Sequence, residues 1–352
     1  MAPTRIALSL GGGGARGYAH IGVIEVLEER GYEVVAVAGT SMGALVGGLH
    51  AGGVLPEYTR WVTSMSQRDV LRLLDPTVRG PGAIRGDKVI GRVAELLDGA
   101  RIEDLPIPFT AVATDLLARR EVWFQRGPVD AAIRASVALP TVFPPVMLNG
   151  RLLVDGGLMN PIPLDPLASV RADALVAVSL AGVPGEPSRA PAVQSTERRP
   201  SEEWLERFRR SAAQVLDRDQ VRAVSRRLPG GRAHPADHDE ADDDIALDEV
   251  SPGPTGTPEE DLPDRDRVFD ALPPDLSTLD VLDLSFDAMQ DLVTRYRHAT
   301  FPPDLLVTVP KNACRTLDFH KAATLVELGR RRAEQALDAA AGFPPAVPRS
   351  SG

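Results

Sequence analysis

The sequence predicts an α/β fold built around a mostly parallel central sheet. Two apolar, β-branched runs, at 5–10 and 33–38, read as buried strands. Each is followed by a stretch with helical character, at 18–30 and 44–50. Strand, helix, strand and helix in that order make the two strands parallel and the crossover right-handed. A later apolar run at 174–180 predicts a further buried strand of the same kind.

Composition restricts the class of protein. The 352 residues suffice for one large domain or two ordinary ones, and 43% of them are apolar. The net charge of -10 argues against nucleic acid as the main partner, because phosphate binding needs a basic surface. The single cysteine, Cys314, excludes an intrachain disulfide. Neither a signal-peptide core nor an apolar run of about 20 residues is present, so we expect a cytoplasmic protein that is at most peripheral at a membrane.

Helices are predicted at three places after the second strand–helix pair. Apolar residues at helical spacing predict helices over 58–74, 87–97 and 129–138. Asp87 has the side chain of an N-cap residue. The Gly/Pro stretch at 79–82 predicts a plain connector between the first two of these helices.

Strands and turns account for most of the remaining residues up to 181. Apolar, β-branched and aromatic residues predict strands over 109–114 and 121–124. Three prolines exclude regular structure over 140–145. Asn149-Gly150 lies between two apolar runs and predicts a two-residue hairpin. The second arm of this hairpin ends at Asp155, which precedes two glycines.

The composition changes after residue 181, which divides the chain. A folded core is predicted over 5–181, and 182–274 is predicted to be an acidic, Pro/Gly-rich, largely disordered insertion. Within it, only 202–228 has a helical pattern, and the acidic run at 237–244 predicts a solvated tract. Residues 279–340 are predicted to complete the same domain with a helix, a short strand and a long helix, at 288–298, 305–309 and 317–337.

The five residues Gly39-Thr40-Ser41-Met42-Gly43 match G-x-S-x-G and have the flanks of a nucleophile elbow. A buried strand precedes them and a helix follows. Gly39 and Gly43 remove Cβ clashes, so the turn can be sharp and the Ser41 hydroxyl can stand exposed at its tip. The helix N-terminus favours negative charge developing nearby. Ser41 is therefore the candidate nucleophile.

The glycine-rich segment at 11–17 is the candidate oxyanion site. Successive glycines allow backbone N–H groups to line a concavity at the start of a helix. Because the loops after parallel strands meet at one edge of the sheet, we expect this loop to lie beside Ser41.

The base that activates Ser41 is harder to assign from the residues alone. The usual base is a histidine, but none of the six histidines follows a late strand, and each is better explained as a surface or packing residue. Asp155 lies at a strand end before two glycines, where burial would raise its pKa from about 3.9 and make it a better base. A plain turn aspartate remains the alternative for Asp155. The histidines are His20, His50, His234, His238, His298 and His320.

Three motifs in this order resemble the patatin-like phospholipase family. They are G-G-G-A-R-G at 12–17, G-T-S-M-G at 39–43 and D-G-G at 155–157, and the block at 135–145 is also similar. The resemblance covers about 5–181, and a weaker similarity extends over 279–337. Within the family, the chain looks like the bacterial members that are related to the catalytic domain of neuropathy target esterase. The resemblance implies a three-layer α/β/α fold.

The resemblance also implies a mechanism with no histidine, no metal and no cofactor. Ser41 would be the nucleophile and Asp155 the base, with an acyl-serine intermediate. The substrates would be phospholipid or lysophospholipid esters, which implies a role in lipid degradation and transient contact with a membrane surface. The oxyanion hole would be formed by the N–H groups of Gly12, Gly13 and Gly14. Supporting residues would be Arg16, which holds the glycine loop, and Gly17, Gly39, Gly43, Gly156 and Gly157.

Three other functions fit parts of the sequence. The spacing Gly12-x-Gly14-x-x-Gly17 matches a dinucleotide-binding loop, but the second strand ends without the acidic residue that binds the ribose. An α/β-hydrolase with a Ser-Asp-His triad would lose activity in His298→Ala or His320→Ala. A non-catalytic lipid- or protein-binding domain would tolerate the loss of Ser41.

Several apolar residues beside the motifs fit either core packing or an acyl pocket. Ordinary core packing is the favoured interpretation for each of them, because apolar residues are buried in most folds. They are Met42, Leu45, Val142, Phe143 and Met147.

Overall fold

An eight-stranded sheet forms the centre of the fold. The computed structural model describes residues 3–74, 84–140, 142–182 and 278–345. The strand order is β5-β6-β3-β2-β1-β7-β8, with β4 also paired to β3. The strands are β1 (Thr4–Leu10), β2 (Tyr32–Thr40), β3 (Phe109–Asp115), β4 (Arg120–Phe124), β5 (Val146–Leu148), β6 (Arg151–Asp155), β7 (Ala174–Gly182) and β8 (Leu305–Pro310).

The pairing of these strands confirms the predicted α/β class with a mostly parallel sheet. Strands β3, β2, β1, β7 and β8 are parallel to their neighbours in that order. The antiparallel part is confined to β4, β5 and β6 at the β3 side. Strands β5 and β6 pair through Leu148 and Arg151, which leaves Asn149 and Gly150 as the hairpin turn with φ of 49° and 74°.

Both faces of the sheet are covered, as alternate residues of β1 show. Ile6, Leu8 and Leu10 belong to the main core, whereas Ala7 packs with Leu167 on the opposite face. The helices are α1 (Ala19–Glu29), α2 (Met42–Ala51), α3 (Leu55–Ser64), α4 (Gln67–Leu74), α5 (Asp87–Leu97), α6 (Val129–Ser136), α7 (Thr278–Thr300) and α8 (Ala322–Ala339). None of these helices, in the part of the chain that the structure describes, is long and apolar enough to cross a membrane.

Several helix boundaries differ from the sequence prediction. The predicted helix over 58–74 is two helices, because Ser66 starts a new one: its backbone N–H donates to the Asp69 carboxylate (3.0 Å) and its hydroxyl accepts the Asp69 N–H (3.3 Å). Gly86, not Asp87, is the N-cap of α5. Helix α7 begins ten residues before the predicted 288, and α8 begins at 322 because a 3-10 turn occupies 319–321.

The segments before and after 183–277 belong to one compact unit. Strand β8 pairs in parallel with β7. The backbones of α1 and α8 approach closely, since a Cβ on Gly22 would lie 2.0 Å from the Val326 carbonyl oxygen. The predicted insertion over 182–274 and the predicted connector at 79–82 lie outside the described residues, apart from Gly182 at the end of β7.

Candidate active site

Ser41 lies at a sharp turn between β2 and α2. Its backbone has φ 56° and ψ -125°, a conformation that residues with a side chain rarely adopt. The turn is held on its strand side by Thr40, whose hydroxyl donates to the Asn160 carbonyl at 2.8 Å. This is the geometry of a nucleophile elbow, with a nearly buried serine at the N-terminus of a helix.

Ser136 holds the elbow from the other side. Its hydroxyl oxygen accepts the Ser41 N–H at 2.9 Å, and its hydroxyl donates to the Val112 carbonyl at 2.6 Å. Ser136 is fully buried at the end of α6, so both hydrogen bonds are shielded from water. The sequence pointed to Ser136 only as part of the block at 135–145, and nothing local indicated this link to Ser41.

Gly43 brings the glycine loop against the elbow. A Cβ at this position would lie 2.0 Å from the Leu10 carbonyl oxygen and 2.9 Å from that of Gly11. Further along the same loop, a Cβ on Gly12 would lie 3.3 Å from the Ser41 Cβ, and one on Gly17 would lie 2.3 Å from the Met42 Cβ. The loop and Ser41 are therefore neighbours, as the parallel topology predicts.

The hydrogen bonds of the loop correct the expected set of oxyanion donors. The Gly12 N–H donates to the Pro161 carbonyl at 3.0 Å, so it is not available to an oxyanion in this conformation. The N–H groups of Gly13 and Gly14 have no acceptor among the residues that the structure describes. The same holds for Met42, the first residue of α2. Available donors are therefore Gly13, Gly14 and Met42.

Two side chains fix the path of the glycine loop. Arg16 donates from Nε to the Gly13 carbonyl (3.2 Å) and from Nη1 to the Lys311 carbonyl (2.8 Å). His20 is fully buried and donates from Nε2 to the Gly11 carbonyl at 2.8 Å. Burial lowers the pKa of His20 to about 4, against the opposing effect of the Gly11 carbonyl, so the ring is neutral at physiological pH.

Asp155 ends β6 and is 2% exposed. Its carboxylate accepts the Gly157 N–H at 2.7 Å, and the Ser41 side chain is near enough to lower its pKa through a hydrogen-bonding interaction. Burial raises the pKa of Asp155 to about 6, although both hydrogen bonds act in the opposite direction. The Ser41 side chain therefore influences the Asp155 carboxyl, and this carboxyl titrates close to neutrality.

The loop after Asp155 is held by distant parts of the chain. A Cβ on Gly156 would lie 2.2 Å from the Val112 carbonyl oxygen, so this loop sits on the backbone of β3. From α7, Gln290 donates to the Gly157 carbonyl at 2.9 Å. Arg297, also on α7, forms ion pairs with Glu121 and Asp165. No sequence pattern indicated that α7 lies against the D-G-G motif.

The other histidines, which are the alternative candidates for the base, lie in several parts of the chain. His50 is buried on α2, and burial lowers its pKa to about 4. His298 is on the last turn of α7 and His320 in the 3-10 turn before α8. His234 and His238 lie outside the described residues. Across 3–74, 84–140, 142–182 and 278–345, no group of three or more His, Cys, Asp or Glu side chains is placed to hold a metal ion.

A largely apolar cavity opens beside Ser41, which forms part of its wall. Its volume is about 830 Å³ when the open mouth is counted. Met42, Leu45, Val142 and Phe143 line it. Met42 and Leu45 also pack in the main core as expected, whereas Val142 and Phe143 are only half-buried. Met147 does not line the cavity and is 64% exposed on β5. Sequence reasoning missed the contribution of α3 and α5 to this wall, which brings in Tyr58, Trp61, Val89 and Ile90.

Comparison with known proteins places the chain in a family. The patatin-like phospholipase family model matches residues 8–168. An uncharacterized NTE family protein of Mycobacterium tuberculosis is 45% identical over 339 residues, which cover 95% of this chain and 92% of that protein. The chain belongs to the NTE family of patatin-like phospholipases, and this membership supports a lipid hydrolase activity in general.

More distant relatives share only part of this similarity. Human patatin-like phospholipase domain-containing protein 6 is 36% identical over 183 residues, which are 50% of this chain and 13% of that protein. Among solved structures, VipD from Legionella pneumophila aligns with a TM-score of 0.41 at 13% identity, covering 96% of this chain and 67% of that one.

Proposed function

We propose that this protein is a serine acyl hydrolase that cleaves carboxylic ester bonds of phospholipids or lysophospholipids. The observation that carries the proposal is the pairing of Ser41, on a sharp elbow at the wall of an apolar cavity, with the buried Asp155 carboxyl, whose pKa the Ser41 side chain influences. A nucleophile in contact with a base is the arrangement that acyl transfer needs.

The reaction begins with proton transfer from the Ser41 hydroxyl to Asp155. As the proton leaves, the Ser41 oxygen attacks the ester carbonyl carbon, and the carbonyl oxygen becomes negatively charged. The N–H groups of Gly13, Gly14 and Met42 are the candidates to bind this oxyanion, and the N-terminus of α2 adds a favourable dipole. When the tetrahedral intermediate collapses, the ester C–O bond breaks, Asp155 returns the proton to the leaving alcohol, and the acyl group stays on Ser41.

Water completes the cycle by the same route. Asp155 accepts a proton from the water as its oxygen attacks the acyl-serine carbonyl. Collapse of the second tetrahedral intermediate releases a fatty acid and returns the proton to the Ser41 oxygen. A carboxyl with a pKa of about 6 suits both steps, because it is ionised at neutral pH and still accepts a proton readily.

The cavity supports a lipid acyl chain as the part of the substrate next to the ester. Its walls beside Ser41 are apolar side chains, of which Leu45 and Phe143 are examples. Burial of each methylene group of an acyl chain is worth about 0.8 kcal/mol, so such a wall favours long chains over short ones.

Contact with a lipid surface is proposed for the exposed face of α7. The opposite face of this helix is fixed to the active site through Gln290 and Arg297. Large apolar side chains in contiguous exposed positions are typical of a surface that meets lipid. At helical spacing these exposed residues fall on one side of α7; they are Val281, Leu284, Met289, Leu292 and Tyr296.

Hydrolysis of p-nitrophenyl butyrate and lysophosphatidylcholine tests the proposal. Ser41→Ala is expected to remove activity on both esters. Asp155→Asn should lower kcat by about 10³-fold, since the base is lost. His298→Ala and His320→Ala are the matched controls and should retain activity.

Two results would contradict the proposed mechanism. Loss of activity in a histidine variant with unchanged stability would favour a Ser-Asp-His triad. An inactive wild-type protein that still binds phospholipid vesicles would favour the non-catalytic lipid-binding alternative. Vesicle co-sedimentation of Leu284→Ser and Leu292→Ser tests the role of α7: equal binding by these variants and wild type would remove the proposed surface.

A further inference from the structure

Two arginines interrupt the apolar wall of the cavity beside Ser41. Arg85 and Arg134 are the only charged residues among the described residues that line it. Most of the other lining side chains are aliphatic, aromatic or thioether groups. A cavity built only for an acyl chain has no need of a guanidinium, and a partly buried charge such as that of Arg134 is costly to desolvate.

These two guanidinium groups lack counter-ions within the described part of the chain. Arg134 is partly buried and has one long contact, from Nη1 to the Pro144 carbonyl at 3.5 Å. Burial lowers the pKa of Arg134. The charge of Asp87 acts in the opposite direction, although Asp87 forms no ion pair with Arg134. No ion pair or hydrogen bond from the Arg85 side chain is formed among the described residues. A partly buried cation without a partner is stabilised when an anion binds beside it.

The backbone around both arginines is fixed relative to Ser41. On one side of Arg85, the Ile84 N–H donates to the Val142 carbonyl at 2.9 Å. On the other side, a Cβ on Gly86 would lie 2.7 Å from the Phe143 ring. Arg134 lies on the last turn of α6, two residues before Ser136, which accepts the Ser41 N–H. Both side chains therefore start from positions that are tied to the active site.

We propose that Arg85 and Arg134 bind the phosphate group of the lipid substrate while its acyl ester lies at Ser41. This inference rests on the proposed function and assigns the residues that would select phospholipids over neutral acylglycerols. The guanidinium fork matches phosphate oxygens in a bidentate geometry, and the apolar walls accept the chain attached to the same molecule. Neutral acylglycerols offer no anion to this pair and are the poorer substrates.

The kinetic test compares two substrates with the same acyl chain. The ratio of kcat/KM for decanoyl lysophosphatidylcholine to kcat/KM for 1-decanoylglycerol is measured for wild type, Arg85→Gln, Arg134→Gln and Arg134→Lys. The ratio should fall about 10- to 100-fold in each glutamine variant, which is the effect of losing a hydrogen bond to a charged group. Arg134→Lys keeps the charge and should retain part of the ratio. Arg126→Gln, an exposed arginine outside the cavity, is the matched control.

A binding test makes the inference independent of activity. Decyl phosphate should raise the melting temperature of wild type and of Ser41→Ala more than decanol does, and this difference should vanish in Arg85→Gln and Arg134→Gln. Inorganic phosphate at the same concentration should have little effect, because it lacks the alkyl chain.

The outcomes separate this inference from the proposed function. An unchanged substrate ratio in both glutamine variants, or an equal loss on both substrates, would overturn the phosphate site while leaving the hydrolase intact. Stabilisation by inorganic phosphate as strong as that by decyl phosphate would also overturn it, since the site would then serve the free ion. Hydrolysis of neither substrate, together with selective stabilisation by decyl phosphate, would reject the hydrolase and keep the site. Arg85 is exposed, so its variant remains informative if Arg134→Gln does not fold.

Discussion

Ser41 and Asp155 form the proposed catalytic pair, yet the folded state bears a different kind of energetic cost at each of them. For Ser41 the cost is conformational, because its φ of 56° with ψ of -125° is a backbone state that costs about 1–3 kcal/mol. For Asp155 the cost is electrostatic, because a carboxylate that is 2% exposed must ionise with little water around it.

The two costs differ in whether their cause lies near the residue in the sequence or far from it. The turn at Ser41 is made possible by its immediate neighbours Gly39 and Gly43, although Ser136 also holds it from a distant part of the sequence. The burial of Asp155 is set by segments far away in sequence, such as β3 and, through Gln290, α7. The conformational cost at Ser41 should change with substitutions that alter the freedom of the local backbone. The electrostatic cost at Asp155 should change with pH.

The largest expected effect is the loss of stability in Gly43→Ala. The new Cβ would lie 2.0 Å from the Leu10 carbonyl oxygen, and backbone cannot move aside as a side chain can. We expect a loss of about 3 kcal/mol or more in the free energy of unfolding, measured by urea denaturation. Gly91→Ala on α5 is the control: a Cβ there meets nothing within 4 Å, so this variant should gain about 0.5–1 kcal/mol. Equal stability of the two variants would show that the backbone of the elbow can shift at little cost in free energy.

Asp155→Asn is expected to be more stable than wild type at pH 8. The folded-state pKa of Asp155 is about 6, above the ordinary value of 3.8, so the folded state holds the proton more tightly than the unfolded chain. Stability of the wild type therefore falls as pH rises from about 4 to 6, and the full penalty, at most about 3 kcal/mol, is present above pH 6. Asparagine does not ionise, so the variant does not bear this penalty. Denaturation at pH 4, 6 and 8 should show the advantage of the variant shrinking towards pH 4; a constant difference would contradict the electrostatic explanation.

The pH dependence of activity should report the same group. Below a pH of about 6 Asp155 is protonated and cannot accept the Ser41 proton, so kcat/KM should fall tenfold for each further pH unit. The profile is measured with p-nitrophenyl butyrate, whose own charge does not change. A limb near the ordinary carboxyl value of 3.8 would mean that Asp155 is well solvated in solution.

The sequence predicted the parts of this site that depend on neighbouring residues. The elbow at 39–43, the parallel sheet and the position of Asp155 at a strand end all follow from local patterns and from the order of motifs. Contacts between distant segments could not be predicted in this way. Ser136 reaches Ser41 only because α6 ends beside β3, and Gln290 reaches Gly157 only because α7 crosses the motif.

The two departures at the active site have the same origin. The Gly12 N–H is lost as an oxyanion donor because the chain after Asp155 returns to place the Pro161 carbonyl beside it. Phe143 and Leu45 line a cavity because α3, α5, Leu139 and Val142 enclose space beside the elbow. A periodicity that marks a residue as apolar cannot distinguish a packed core from the wall of a cavity.

The smallest expected effect isolates the conformational cost of Ser41. Ser41→Gly and Ser41→Ala both remove the hydroxyl, so catalysis and the hydrogen bond to Asp155 are lost equally. They differ in the backbone. At φ 56° and ψ -125° glycine is unstrained and alanine is strained, which favours the folded state of the glycine variant. Glycine also has more conformational freedom in the unfolded chain, which acts against its stability. The strain outweighs the gain in freedom, so Ser41→Gly should be the more stable of the two by about 1 kcal/mol. The same pair at Gln335, exposed within α8, should give the opposite order by about 1 kcal/mol, because φ is helical there. If alanine were the more stable at both positions, the turn at Ser41 would be relaxed, and the cost of the site would lie with Asp155 alone.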